Sequence, residues 1–550
     1  MDALTENIPG TVRLIDVQEV INLVPQPSVR PSLVPGRFAC PIASPSPQLT
    51  PSKHDPDDPL KWTKKRKTLA MACILAYTIA VGISSAAIYS VFENISAHTG
   101  LNLSTLNQGT GYMFLSFGWG CLFWQPLALQ YGKRPVYLLS TIGTMAAMIW
   151  APYTYSQPTW IASKVLQGFF GAPIESLCAI SVTDLYFVHE RGFYTTLYAL
   201  VLSGSSTGAP IVGGFIADGQ GWQWVLYWCA ILCAVVFVLL ALLMEETNYS
   251  RSRMDPVREI NSPLGSPMGD GKSEGPDSPW TPVSASDSTA AFGHAGSLPR
   301  TKKTWFDKCR LWQEADLPKP NQLGSMVKRP FVYTTFPVIA FCGFSYGASL
   351  TWYNLLNATS SLVLTKIYKF RTRTVGVSYL AVLLGVLIAA VYTGLYGNRL
   401  MIKLARKNGG VLESEHRLWL LLPQIFILPA GFVLWGVGAS YRIHWFAMIL
   451  AMFLITGGSA IAVQESINYC ISSYSGHEAV VAVILIRNTM FFAVSYGLTP
   501  WVTHLGLRNA FISAAVVAMC QGSSFLPIIR YGKRLRRRTA PRLLNMSERD

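Results

Sequence analysis

The chain has 550 residues, of which 51% are hydrophobic and only 13% charged, and it carries a formal net charge of +16. An average soluble domain is about 25% charged, so the composition excludes an ordinary water-soluble protein and places most of the chain in lipid. The surplus of Lys and Arg does not point to nucleic acid, because those residues cluster beside the ends of apolar segments, as membrane topology requires.

In hydrocarbon every backbone N–H and C=O must bond within the protein, so a span is either a helix of about 20 apolar residues or a strand of a closed barrel. Barrel strands alternate apolar and polar residues, and the apolar run 383–391 shows no alternation. The fold class expected is therefore an all-α polytopic membrane protein.

In chain order, residues 1–60 are polar and interrupted by Pro25, Pro27, Pro31, Pro35, Pro41, Pro45 and Pro47, which predicts a disordered cytosolic tail without the apolar core of a signal peptide. Basic residues from Lys61 to Lys67 then precede the first span. Six spans are predicted at 68–92, 108–130, 136–153, 160–182, 193–216 and 223–243, making an N-terminal bundle over 61–248. A second six, at 332–356, 375–397, 418–439, 445–468, 479–501 and 508–529, make a C-terminal bundle over 330–530. Between them, 249–329 reads as a disordered cytosolic linker, with Ser262-Pro263, Ser266-Pro267 and Ser278-Pro279 as sites where phosphorylation would add charge. Residues 531–550 form a basic cytosolic tail.

The basic residues put both termini and the linker in the cytosol. One loop disobeys: Lys366, Lys369, Arg371 and Arg373 fall between spans 7 and 8, on the outer side. Asn94 and Asn102 begin two sequons in the first outer loop, where glycosylation requires them.

Ionisable residues inside spans are costly, so each is a functional candidate. Lys164 and Glu175 stand in span 4, Glu465 in span 10 and Arg487 in span 11. Lys164, Gly168, Gly171, Glu175 and Cys178 share one helical face, and Gly458, Ala462, Glu465 and Tyr469 repeat the arrangement in span 10. Two carboxylates on equivalent helices suit a proton or a cationic group; the alternative is structural ion pairing with Arg487 or Lys164. Span 5 carries Gly208, Pro210, Gly213 and Gly214, which permit close packing and a bend. Seven of the ten cysteines fall in apolar segments and suggest neither a disulfide framework nor a metal site. No catalytic constellation and no phosphate-binding Gly-Lys-Ser/Thr loop is present, so neither an enzyme nor a nucleotide-driven pump is expected.

At these residues the chain resembles the major facilitator superfamily, in its fungal drug/proton-antiporter-like branch. The run Gln125 to Arg134 is similar to the signature between spans 2 and 3, with Gly132, Lys133 and Arg134 in place but Leu129 where a carboxylate usually stands. Lys164-Val-Leu-Gln-Gly168 is similar to the span 4 motif with Lys for Arg, and span 5 to the antiporter motif with Ala209 before Pro210. Asp184 to Gly192 (containing Arg191), Glu245 to Arg251, Lys328 to Phe331, Glu415 to Leu418 and Asn468 to Tyr474 resemble polyamine/histidinol-type and metabolite-efflux transporters. The resemblance implies two six-helix bundles that rock about a central site, with Gly132, Lys133, Arg134, Asp184 and Arg191 in the gate. It also implies a monomeric, proton-coupled exporter of a small organic compound, without cofactor or metal, in the plasma membrane or an endomembrane such as the vacuole. A proton-coupled importer of an organic cation is the alternative, and a non-transporting nutrient receptor a distant one.

Overall fold

The computed structural model describes residues 11–13, 59–186, 188–248, 323–474 and 477–547. Most of the proline-rich tail and of the linker, with the Ser-Pro sites, lies outside the described residues.

Each predicted span is helical. The first half contains α1 (Lys64–Ala86), a 3-10 turn (Ala87–Val91), α2 (Phe92–Thr99), α3 (Leu103–Tyr131), α4 (Lys133–Trp150), α5 (Gln157–Gly171), α6 (Pro173–Leu185), α7 (Val188–Gln220) and α8 (Trp222–Leu243). The second half contains α9 (Leu323–Thr334), α10 (Pro337–Leu362), α11 (Thr372–Val391), α12 (Gly397–Lys407), α13 (Gln424–Ser440), α14 (Trp445–Ser473), α15 (His477–Ser523) and α16 (Phe525–Ser547). Among the described residues, 10 helices are long and apolar enough to cross a membrane, or 11 if the bent pair α9–α10 counts as one span. The 29-residue α3 is long enough but is diluted by Gly, Thr, Asn and Gln.

Two departures from the sequence reading have local causes. Span 4 is two helices, because Pro173 lacks the N–H that would continue the hydrogen-bond ladder, and α6 starts there. Span 7 is preceded by α9, which meets α10 at 84° and turns the last residues of the expected linker into a helix. Spans 11 and 12 stand apart as expected: α15 is two helices that meet at Gly506, whose φ of 72° suits a residue without a Cβ. The basic tail continues as α16, and Thr11–Arg13 pairs antiparallel with Val411–Glu413.

The apolar packing differs between the two ends of the bundle. Towards the linker, the first half keeps a core of its own around Tyr77, Tyr137, Leu177 and Cys233, which Val481, Ile484 and Leu485 of α15 join. The second half keeps another around Phe336, Ala462, Tyr469 and Phe525. At the opposite end both halves share one core, in which Phe92, Trp160 and Leu226 are continuous with Trp352, Trp435 and Phe511. The halves meet along α3 with α15 and along α7 with α11.

Candidate functional site

Between the halves, Glu175 in the first turn of α6 forms an ion pair with Arg487 of α15. The guanidinium is 3% exposed and is held on its other edges as well. Its Nη1 donates to the Tyr346 hydroxyl of α10 at 2.6 Å, its Nε donates to Asn488 Oδ1 at 3.0 Å, and it lies 4.5 Å from the Tyr346 ring centre. Glycines let the helices approach this point. A Cβ on Gly118 of α3 would stand 2.8 Å from the Asn488 Cβ, and one on Gly347 would stand 3.2 Å from the Arg487 Cα. The charge in lipid is thus matched by an opposite charge and by hydrogen bonds, which a buried cation requires.

The other span candidates are not gathered here. Lys164, 1% exposed, donates to Gln167 Oε1 of its own helix at 2.8 Å, and Gln167 Nε2 donates to the Ser84 carbonyl of α1 at 2.9 Å. Its ammonium lies 4.8 Å from the Trp160 ring, and no carboxylate pairs with it among the described residues. Glu465 lies inside the second half with no exposure. Its Oε1 accepts from Asn468 Nδ2 at 3.4 Å, and its buried Oε2 has no partner. Tyr469, one turn on, donates to Glu415 Oε1 at 3.5 Å, and that carboxylate is paired with the buried Arg536 of α16. The two span carboxylates are therefore in different environments, one bridging the halves and one enclosed in a single half.

The signature residues between α3 and α4 do assemble. Gly132 has φ of 122°, and a Cβ there would stand 2.8 Å from Glu246 Oε2. Glu246, just past α8, accepts from the backbone N–H groups of Lys133 at 3.0 Å and Arg134 at 2.9 Å, the first amides of α4. A carboxylate here satisfies two orphan donors and the positive end of the helix together. Lys133 pairs with Asp184, and Arg134 Nη2 donates to the Ala241 carbonyl at 2.6 Å. Arg191 lies near the start of α7, with its side chain outside the described residues. Leu129 faces a crevice lined also by Gln125, Pro330 and Glu478. In the sequence Glu246 is legible only as one charge within the run Glu245 to Arg251. Its signal, a carboxylate directly after a span, gains meaning only once α8 is seen beside α4.

The four positions of the α7 motif divide. A Cβ on Gly213 would stand 2.5 Å from the Ala87 carbonyl, and one on Gly214 would stand 2.9 Å from the Gly376 Cα of α11. Gly376 in turn lies against the carbonyls of Pro210 and Ile211, whereas Gly208 has nothing within 4 Å. The motif is a contact surface at its far end and is open at its near end.

Comparison with known proteins agrees with this architecture. The family model for the Major Facilitator Superfamily matches residues 73–500. An uncharacterized MFS-type transporter of Schizosaccharomyces pombe is 26% identical over 506 residues, covering 88% of this chain and 87% of the relative. Protein HOL1 of Saccharomyces cerevisiae is 24% identical over 588 residues (96% and 95%), and MFS-type transporter penM of Penicillium rubens 24% over 498 residues (89% and 88%). The xylose transporter XylE of E. coli, in a partially occluded inward open conformation, shares the fold with a TM-score of 0.53 at 12% identity, covering 84% of this chain and 98% of that one. With paired half-bundles, the signature between α3 and α4 and a family match over most of its length, this chain belongs to the major facilitator superfamily of membrane transporters.

Proposed function

We propose that this protein is a proton-coupled exporter of a small organic compound, working as a monomer in the plasma membrane with both termini and the linker in the cytosol. The observation that carries the coupling is Glu465, a fully buried carboxylate with one oxygen unpartnered and no ion pair among the described residues, the Arg417 charge acting on it only from beyond ion-pair distance. A proton has a place to sit there, and its arrival or loss changes the charge inside one half. Glu175 is the second candidate, but its charge is engaged by Arg487. In this reading that bridge opens and re-forms as the halves rock, so Arg487 and Tyr346 act with it. Export is favoured by the resemblance of α7 to the antiporter motif. Import of an organic cation is the alternative. The engagement of Glu175 by Arg487 weighs against it, since a polycation needs free carboxylates. Of the two sequons, the exposed Asn102 suits a glycan better than Asn94, whose amide donates to Thr372 Oγ1 at 3.3 Å.

Sealed vesicles holding the purified protein test the reading directly. Under an imposed pH gradient they are offered uncharged and cationic drugs alongside radiolabelled spermidine. Accumulation of a drug against its gradient, in the direction opposite to proton flow, is the expected result. Uptake of spermidine together with protons, and of nothing else, would establish the alternative.

A further inference from the structure

The basic loop that violates the charge rule has contacts that give it work. Lys366, Lys369, Arg371 and Arg373 are exposed at the end of the bundle remote from the linker. Lys366 Nζ stands 3.1 Å from Glu93 Oε1 of α2, in the other half. Thr372 Oγ1 accepts from Asn94 Nδ2, and the Arg373 guanidinium lies 5.1 Å from the ring of Phe215 in α7. One turn into α11, Gly376 meets Gly214. Three side chains of one short segment thus reach across the seam, beside the point where backbone packs on backbone and over the core that both halves share. Glu93 Oε2 is buried and has no partner, and Lys366 is the one cation paired with Glu93 among the described residues.

We infer that Glu93 and Lys366 are gate residues of the transport cycle: their ion pair latches the outer mouth shut, and the basic loop persists on this side because it closes on the first half. The inference needs the halves to rock and is independent of substrate and of proton coupling. The pair is partly exposed, with side-chain accessibilities of 58% for Lys366 and 22% for Glu93. A pair of this kind biases an equilibrium by no more than about fivefold, which suits a latch that must release in every cycle. Closure itself comes from the glycine contact and the shared core, and the latch sets how often the mouth opens.

The test uses the full chain in nanodiscs, where both faces are accessible, with Cys40, Cys309 and Cys520 replaced by Ser, Cys229 of the shared core replaced by Ala, and a reporter Ser90→Cys. Ser90 is 2% exposed beneath the contact, so a maleimide reaches it only when the mouth opens. Lys366→Glu removes the attraction and sets like charges against each other, and should raise the labelling rate about twofold to fivefold. Adding Glu93→Lys restores an opposite pair and should return the rate to that of the parent. A rate unchanged by Lys366→Glu would overturn the inference. So would a double variant that labels no more slowly than the single one.

Discussion

Arg487 holds three partners on two halves, so its removal separates electrostatic from steric contributions at the bridge. Arg487→Gln leaves the Glu175 carboxylate, 13% exposed, without its cation, and breaking a largely buried pair in this way costs up to about 3–5 kcal/mol. Arg487→Lys keeps the charge but cannot donate to Glu175, Tyr346 and Asn488 together. The expected order of melting temperature in detergent is native, then Lys, then Gln. A Gln variant as stable as the native protein would mean that the bridge contributes nothing. Both charges of the pair are legible in the sequence as ionisable groups inside spans, and pairing with Arg487 is one of the alternatives it offers. Tyr346 is legible only as an aromatic residue. The choice of partner depends on which face of α15 meets α6 and α10, and that is set by packing between segments far apart in the chain. Glu246 and Arg536 are further cases. Each reads as one charge beside a membrane end, and their partners, the amides of Lys133 and Arg134 and the carboxylate of Glu415, lie over 100 residues away.

At the scale of elements, glycines decide how closely the two halves approach. A methyl group on Gly376 would stand 3.1 Å from the carbonyls of Pro210 and Ile211, so α7 and α11 must part to admit it. Gly376→Ala is expected to destabilise the closed outer end by about 1–3 kcal/mol, the usual cost of overpacking. Gly208→Ala meets nothing within 4 Å and should leave the mouth unchanged. The two variants can be compared by maleimide labelling at Ser90→Cys, and equal rates would remove α7–α11 packing from the account. The sequence offers Gly208, Gly213 and Gly214 as one motif, and only the crossing point distinguishes them. Periodicity located the spans because each needs a long apolar run. It could not separate α5 from α6, since Pro173 interrupts the ladder without interrupting the apolar pattern. Nor could it find α9, which is short and follows a segment read as linker.

Over the whole molecule, the two ends are built differently. Towards the linker each half keeps a core of its own, joined only through α15, whereas at the opposite end both halves share one core. Alternating access requires the reverse arrangement to be reachable, and a bound proton can favour one state only through its different energy in the two. In the proposed cycle Glu465 carries that proton. The most direct measurement follows a pH-sensitive dye inside proteoliposomes as a compound found to be transported is added across an imposed pH gradient. The native protein is expected to dissipate the gradient as the compound moves, while Glu465→Gln still exchanges labelled for unlabelled compound but moves no protons. Gradient dissipation by Glu465→Gln at the native rate, with native pH dependence, would contradict it.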